Sequence, residues 1–199
     1  MPYRPFLYTS PALTAWFWTS FGIWGVMETW VWLRELGGTK GENRDRGSRV
    51  WVVASVWLGI WAGFACMYSA PSGAMHRGAQ AWFDLGIAMV LGGAALRLWA
   101  IRTLGQFFRT SVIIQGGHRI ITRGPYHYLR NPSYTGATIT MAGIGLAMNN
   151  WYSFAAVVAG ILIAYARRIM VEQQALEQHF GQEYKDYVAR TWALIPFVW

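Results

Sequence analysis

The chain has 199 residues, 54% of them hydrophobic and only 13% charged, with 13 Trp and a positive mean hydropathy. That balance excludes a soluble domain with a separate core and describes a single membrane domain over 1–199. The formal charge of +8 does not point to nucleic acid, because the basic residues flank apolar segments and build no continuous basic helix; lipid headgroups explain it more simply. Cys66 stands alone in an apolar run, which rules out an internal disulfide or a cysteine-based metal site.

Five apolar segments reach or approach the roughly 20 residues that a spanning helix needs. The first, Ala12 to Leu33, is too long and lacks the basic start of a cleavable signal peptide. Gly22 and Gly25 within it, like Gly92-Gly93 further on, are read as sites of close helix packing. Glu28 and Asp84 are read as boundary residues near outer helix ends. Glu35 to Arg49, rich in glycine and alternating charges, is a flexible solvated loop.

The second segment runs from Val50 to Ala70 and the third from Ala81 to Ile101. Arg97 sits near the cytoplasmic end of the third, either snorkelling to the surface or facing a cavity; snorkelling is the preferred reading. Tyr134 to Met148 is short and needs its flanks or a tilt. Only Asn149-Asn150 separates it from Trp151 to Ala166, so these two form a tight antiparallel hairpin. From Val171 to Trp199 the chain is polar, with Leu176, Phe180, Tyr184 and Tyr187 at helical spacing, an amphipathic tail along the membrane surface. The expected fold is all-α integral membrane, with five transmembrane helices, a C-terminal hairpin and a cytoplasmic tail.

In this five-span arrangement one side receives Arg34, Lys40, Arg44, Arg46, Arg49, Arg102, Arg109, Arg119, Arg123, Arg130, Arg167, Arg168, Lys185 and Arg190, the other only Arg4 and Arg77. The positive-inside rule places the first group in the cytoplasm, the N-terminus outside and the C-terminus inside. A bacterial inner membrane is the expected location. Gly117 to Gly136 then faces the cytosol, with five basic or imidazole side chains among aromatics, glycines and prolines. Polar chemistry at the ends of apolar helices suits a ligand better than a core.

The runs Leu96 to Gly105, Gly124-Pro125-Tyr126, Arg130-Asn131-Pro132-Ser133-Tyr134-Thr135-Gly136, and Glu172 ahead of Phe180-Gly181-Gln182-Glu183-Tyr184 carry a resemblance. In this order and spacing they resemble the isoprenylcysteine carboxyl methyltransferase and phospholipid methyltransferase family over roughly the C-terminal half. The resemblance implies an integral membrane enzyme that uses S-adenosylmethionine, with the cofactor region in 97–136 and 168–199. Two positions depart from the family pattern: Asn131 stands where it has His, and Gln173 where it has a second Glu. Asn131 keeps hydrogen-bonding capacity without a titratable group.

S-adenosylmethionine presents a sulfonium, a zwitterion, ribose hydroxyls and a flat base, so its pocket needs carboxylates, backbone donors and aromatic walls. Glu172 and the Gly124-Pro125-Tyr126 turn supply these types: Gly124 permits close approach, Pro125 fixes the turn, and Tyr126 offers a face and a hydroxyl. His118, Arg130, Asn131, Pro132 and Tyr134 complete the expected cofactor set. His118 fits a lipid headgroup contact equally well, and the whole loop has a plainer reading as an interfacial segment with tyrosine anchors. His76, His127 and His179 have no partner at metal-ligand spacing, so no metal site is expected.

Methyl transfer to a carboxylate needs positioning more than a base, since the nucleophile is already ionised at neutral pH. Arg168, four residues before Glu172 on the same helical face, is the expected catalytic residue, holding the substrate carboxylate; the alternative is that Arg167 and Arg168 both anchor the helix end. The expected partner is a lipophilic acceptor entering from the bilayer, most simply the carboxylate of an isoprenylcysteine-like molecule, with a phospholipid amine or small thiol as alternatives. Sterol-type reductases share features of the last helices and the Ile195-Pro196-Phe197 ending, which predicts NADPH; Ala137 weakens that reading. A non-enzymatic protein of the same fold is the third.

Overall fold

Ser10 opens the first helix: its Oγ accepts from the Ala12 N–H at 3.2 Å, and Pro11 occupies the first turn, where its missing N–H costs nothing. This computed structural model describes residues 3–34, 42–43, 47–108, 113–114 and 120–195. The helices are α1 (Pro11–Leu33), α2 (Ser48–Ser69), α3 (Ala79–Leu104), α4 (Pro132–Ala147), α5 (Trp151–Phe180) and α6 (Gln182–Val188). Two-residue strands, β1 (Glu42–Asn43) and β2 (Ile113–Ile114), pair antiparallel, a small addition to an otherwise helical fold.

Three helices, α2, α3 and α5, are long and apolar enough to cross a membrane by length and composition. α1 has 23 residues, but its tryptophans, threonines and serine dilute its hydropathy. α4 has 16 residues and rises about 24 Å, short of the ~30 Å hydrocarbon layer. The chain is an integral membrane protein.

α5 does not stop at Ala166. It runs on through Arg167 and Arg168 to Phe180, because beyond Ala166 no Gly or Pro occurs until Gly181, whose φ of 56° ends it. The expected surface tail is therefore, over its first third, from Val171 to Phe180, a continuation of the fifth helix. Leaving an apolar environment is not the same as ending a helix.

α3 packs along α4, α2 along α5, and α4 against α5. Glycines set the closeness of both long contacts. A Cβ on Gly136 would fall 2.6 Å from the Arg97 backbone nitrogen and from the Gly93 oxygen; one on Gly86 would fall 2.6 Å from the Ala147 nitrogen. Across α2 and α5, Gly59 meets the Gly160 Cα, the added Cβ falling at 3.0 Å. Gly93 thus packs closely as expected, whereas Gly22, Gly25 and Gly92 do not: a Cβ on any of these three meets nothing within 4 Å. Phe17, Phe83, Met141, Ile144, Val157 and Ile161 form part of the buried core between these contacts.

The α4–α5 hairpin turns through Met148, Asn149 and Asn150. Asn149 adopts φ 58°, which Asn tolerates better than most residues. Its Nδ2 donates to the Ala79 carbonyl at 2.6 Å, while Asn150 Nδ2 donates to the Ala70 carbonyl at 2.8 Å and its Oδ1 caps Tyr152 and Ser153. Both amides therefore fasten the hairpin tip to the α2–α3 connection.

At the opposite end the chain after α6 lies across the loop before α4. The Arg130 N–H donates to the Trp192 carbonyl at 2.8 Å, Trp192 returns a bond to the Tyr128 carbonyl at 3.0 Å, and Thr135 Oγ1 donates to the Leu194 carbonyl at 2.6 Å.

Candidate active site

Arg168 emerges from α5 where that helix passes the N-terminal ends of α2 and α4. Its side chain is 2% exposed. Nε donates to the Tyr134 hydroxyl at 3.0 Å and Nη1 to the Ser48 hydroxyl at 2.7 Å. The Tyr134 hydroxyl in turn donates a hydrogen bond to Glu172 Oε2 at 2.6 Å, and Arg168 Nε lies 3.8 Å from the same oxygen. The result is a directed relay, guanidinium to phenol to carboxylate, in which each donor fixes the rotamer of the next.

A second ion pair stands beside the first. Arg97 grips Glu28 through Nε–Oε1 at 2.6 Å and Nη2–Oε2 at 2.8 Å, and its Nη1 donates to Ser133 Oγ at 3.0 Å. The Tyr134 and Tyr165 rings stack between the two pairs, centroids 4.5 Å apart. Both sequence expectations here are overturned: Arg97 is buried instead of snorkelling, and Glu28 is its partner instead of a boundary residue. Two charges in apolar helices lower their joint desolvation cost by meeting. Arg167 points elsewhere, its guanidinium 5.5 Å from the centroid of the Trp51 ring.

These charges close one end of a cavity of about 560 Å³. Phe21, Trp24 and Trp32 of α1 and Val56 and Trp57 of α2 wall it, while Met141 and Ile161 lie behind. Glu28, Arg97, Tyr134, Tyr165 and Arg168 form its polar end. The volume falls in the ~300–1,000 Å³ range of small-molecule sites.

Glu172 lies on the far side of Arg168 and Tyr134, its side chain 30% exposed. Tyr126 is within electrostatic reach of it; burial, and then that carboxylate, pushes the Tyr126 hydroxyl up. Gly124 begins the Gly124–His127 turn at φ 59°, where a Cβ would stand 3.3 Å from Thr103 Oγ1, and Pro125 is buried behind it. The structure thus gathers Tyr126, Tyr134, Arg168 and Glu172 around one carboxylate.

Arg130, Asn131 and Pro132 are placed differently. Arg130 Nη1 donates to the Val188 carbonyl at 2.9 Å and to the Thr191 carbonyl, and Asn131 Nδ2 donates to the Ala193 carbonyl at 2.8 Å. Pro132 is the buried first residue of α4. Arg130 and Asn131 tie the loop to the C-terminal segment, while burial holds the Arg130 guanidinium below its ordinary value. Among the described residues, Arg130 Nε is buried without a hydrogen-bond partner. Tyr187 completes the joint by donating to the Tyr126 carbonyl at 2.8 Å, and burial pushes its hydroxyl up. His118 lies outside the described residues.

Glu28, Ser48, Ser133 and Tyr165 escaped the sequence reading. For Glu28 a signal existed, since an acidic and a basic residue inside apolar segments invite pairing; the serines carried none. Glu28→Gln should lower stability by about 2 kcal/mol, below the usual cost of breaking a buried pair because Glu28 is 29% exposed. Thermal unfolding in detergent checks this, and replacing both partners with leucine should recover most of the loss.

Fold and site together define a membrane-embedded helical protein with an apolar cavity ending in paired charges and tyrosines. The profile of the family described as phospholipid methyltransferase matches residues 82–183. The chain belongs to that family. Similar proteins include protein-S-isoprenylcysteine O-methyltransferase B of Arabidopsis thaliana, 33% identical over 123 residues covering 60% of this chain and 62% of that one. The protein-S-isoprenylcysteine O-methyltransferase of Tribolium castaneum is 30% identical over 117 residues, covering 58% and 42%. Among solved structures, the eukaryotic intramembrane Ras methyltransferase ICMT (isoprenylcysteine carboxyl methyltransferase) superposes with a TM-score of 0.60 at 27% identity, over 74% of this chain and 51% of that one. The chain therefore spans less than two thirds of the length of these relatives.

Proposed function

We propose that this protein is a membrane methyltransferase that uses S-adenosylmethionine to methylate the carboxylate of a lipophilic, isoprenylcysteine-like acceptor. The observation that carries the reading is the Arg168–Tyr134–Glu172 relay, which stands between an apolar cavity and a partly exposed carboxylate. The similar proteins named as isoprenylcysteine methyltransferases support it.

The donor set suits the cofactor. Glu172 offers a carboxylate to a cationic group, Tyr126 and Tyr134 offer aromatic faces, Gly124 allows close backbone approach, and the unpaired Arg130 Nε is a further donor. When bound, S-adenosylmethionine supplies an electrophilic methyl group on a sulfonium. On the other side of the relay, Arg168 faces the cavity and holds the acceptor carboxylate. A guanidinium at this end attracts a carboxylate and repels an ammonium, which favours a carboxyl acceptor over a phospholipid amine. No general base is needed for a nucleophile that is already ionised, so orientation carries most of the rate.

All five long helices span the bilayer in this reading, with α1 and α4 completing the bundle and the single domain acting as one unit. The N-terminus is outside and the relay lies at the cytoplasmic end. The acceptor's tail enters from the bilayer between α1 and α2, and the cofactor enters from the cytosol.

Calorimetric titration of the detergent-purified protein with S-adenosylmethionine, S-adenosylhomocysteine and NADPH tests this directly. Saturable binding of the first two is expected, weakened at least about tenfold in Glu172→Ala. Binding of NADPH alone would make the protein a reductase, and equal affinity in the variant would remove Glu172 from the site.

A further inference from the structure

Gly22 and Gly25 lie one turn apart on the α1 wall of the cavity, and among the described residues a Cβ built on either meets nothing within 4 Å. Gly86, Gly93, Gly136 and Gly143 differ sharply, since a Cβ there would find its nearest neighbour at 2.5 or 2.6 Å. Helix–helix packing therefore accounts for the second group and not for the first. Propensity does not account for Gly22 and Gly25 either, because each costs up to ~1 kcal/mol against alanine within a helix. What the pair leaves is room, and it leaves it inside the cavity.

Their spacing from the polar end is graded. Glu28, with Arg97, marks that end; Gly25 lies about 4.5 Å from it along α1 and Gly22 about 9 Å, at ~1.5 Å of rise per residue. A tail whose headgroup is held at Arg168 passes Gly25 first and Gly22 later. Resting on the acceptor site of the proposed methyl transfer, we propose that Gly22 and Gly25 are specificity-determining residues that set how long an apolar tail the cavity accepts.

The physical consequence is selective. The Cβ of a leucine at either position meets nothing within 4 Å among the described residues, so the fold is expected to tolerate the substitution. A tail reaching that depth loses its place against the wall, and a few displaced methylenes lower affinity about tenfold or more. Gly25→Leu acts on medium and long tails, Gly22→Leu on long ones alone. Neither touches Glu172, Tyr126 or the relay.

The test is equilibrium binding of radiolabelled N-acetyl-S-prenylcysteines, with tails from one to four isoprene units, to wild type, Gly22→Leu and Gly25→Leu. Methyl transfer and melting temperature are measured on the same samples. The expected result is a tail-length profile that shortens modestly in Gly22→Leu and further in Gly25→Leu, with melting unchanged or raised and S-adenosylmethionine affinity unchanged. Parallel profiles in all three proteins, or no acceptor binding by wild type, overturn the assignment. A shifted binding profile without methyl transfer in wild type overturns the methyltransferase reading and leaves the glycine assignment standing.

Discussion

Gly136→Ala is expected to cost about 3 kcal/mol or more, enough to lower the melting temperature markedly or prevent purification of a folded protein. The added methyl would stand 2.6 Å from the Arg97 nitrogen and the Gly93 oxygen and 3.0 Å from the Arg97 Cα, all of them α3 backbone. A flexible side chain moves aside at little cost, but a helix backbone moves only as a unit. α3 and α4 must separate, which loosens the neighbouring contact of Gly86 with Gly143 and draws Arg97 away from Ser133. Gly92→Ala is the matched control: it lies one residue from Gly93 on the same helix, has open space at its Cβ, and should be neutral or slightly stabilising. Similar melting of both variants in detergent would show that the α3–α4 crossing is not backbone-limited.

That contrast also marks what a sequence can and cannot carry. Gly22, Gly25, Gly92 and Gly93 look alike as small residues in apolar helices, yet only Gly93 meets a neighbour, because rotation of a helix about its axis decides which face is covered. The pairing of Glu28 with Arg97 was hidden for the same reason, since it joins residues 69 positions apart on α1 and α3. The segments themselves were legible. Apolar runs located the starts of all five long helices to within two residues, and Asn149-Asn150 located the hairpin. The end of α5 was not legible from hydropathy, which reports where a helix leaves lipid and is silent on where it stops hydrogen bonding. Gly181 was the better signal.

The site was legible in part. Local motif order was enough to bring Tyr126, Tyr134, Arg168 and Glu172 to one place, because Tyr134 in the first turn of α4 bonds directly to Arg168 and Glu172 in the C-terminal half of α5. It did not reveal that Arg130 and Asn131 spend side-chain donors on the carbonyls of Val188, Thr191 and Ala193. Those carbonyls belong to the last residue of α6 and the irregular segment that follows it, whose path over the loop has no periodic signature. Asn131 suits that joint, since an amide donates to a carbonyl without the desolvation of a charge.

Arg168→Ala should lower turnover by about a thousandfold while leaving S-adenosylmethionine affinity within about threefold of wild type. Cofactor affinity survives because Glu172 keeps the hydrogen bond from the Tyr134 hydroxyl at 2.6 Å, and Tyr134 remains stacked on Tyr165. Turnover falls because the guanidinium is the charged group of this relay that lines the cavity, and a carboxylate acceptor loses both its charge partner and its orientation. Arg168→Lys separates the two losses. Lysine restores the charge but not the planar fork that reaches Ser48 and Tyr134 together, so recovery should be partial, to about a hundredfold below wild type. Arg167→Ala, at the position stacked on Trp51, should change turnover little. If instead Arg168→Ala turned over within a few-fold of wild type and Arg167→Ala did not, the acceptor's carboxylate would have to be held by the outer arginine, and the cavity's polar end would not be where the reaction takes place.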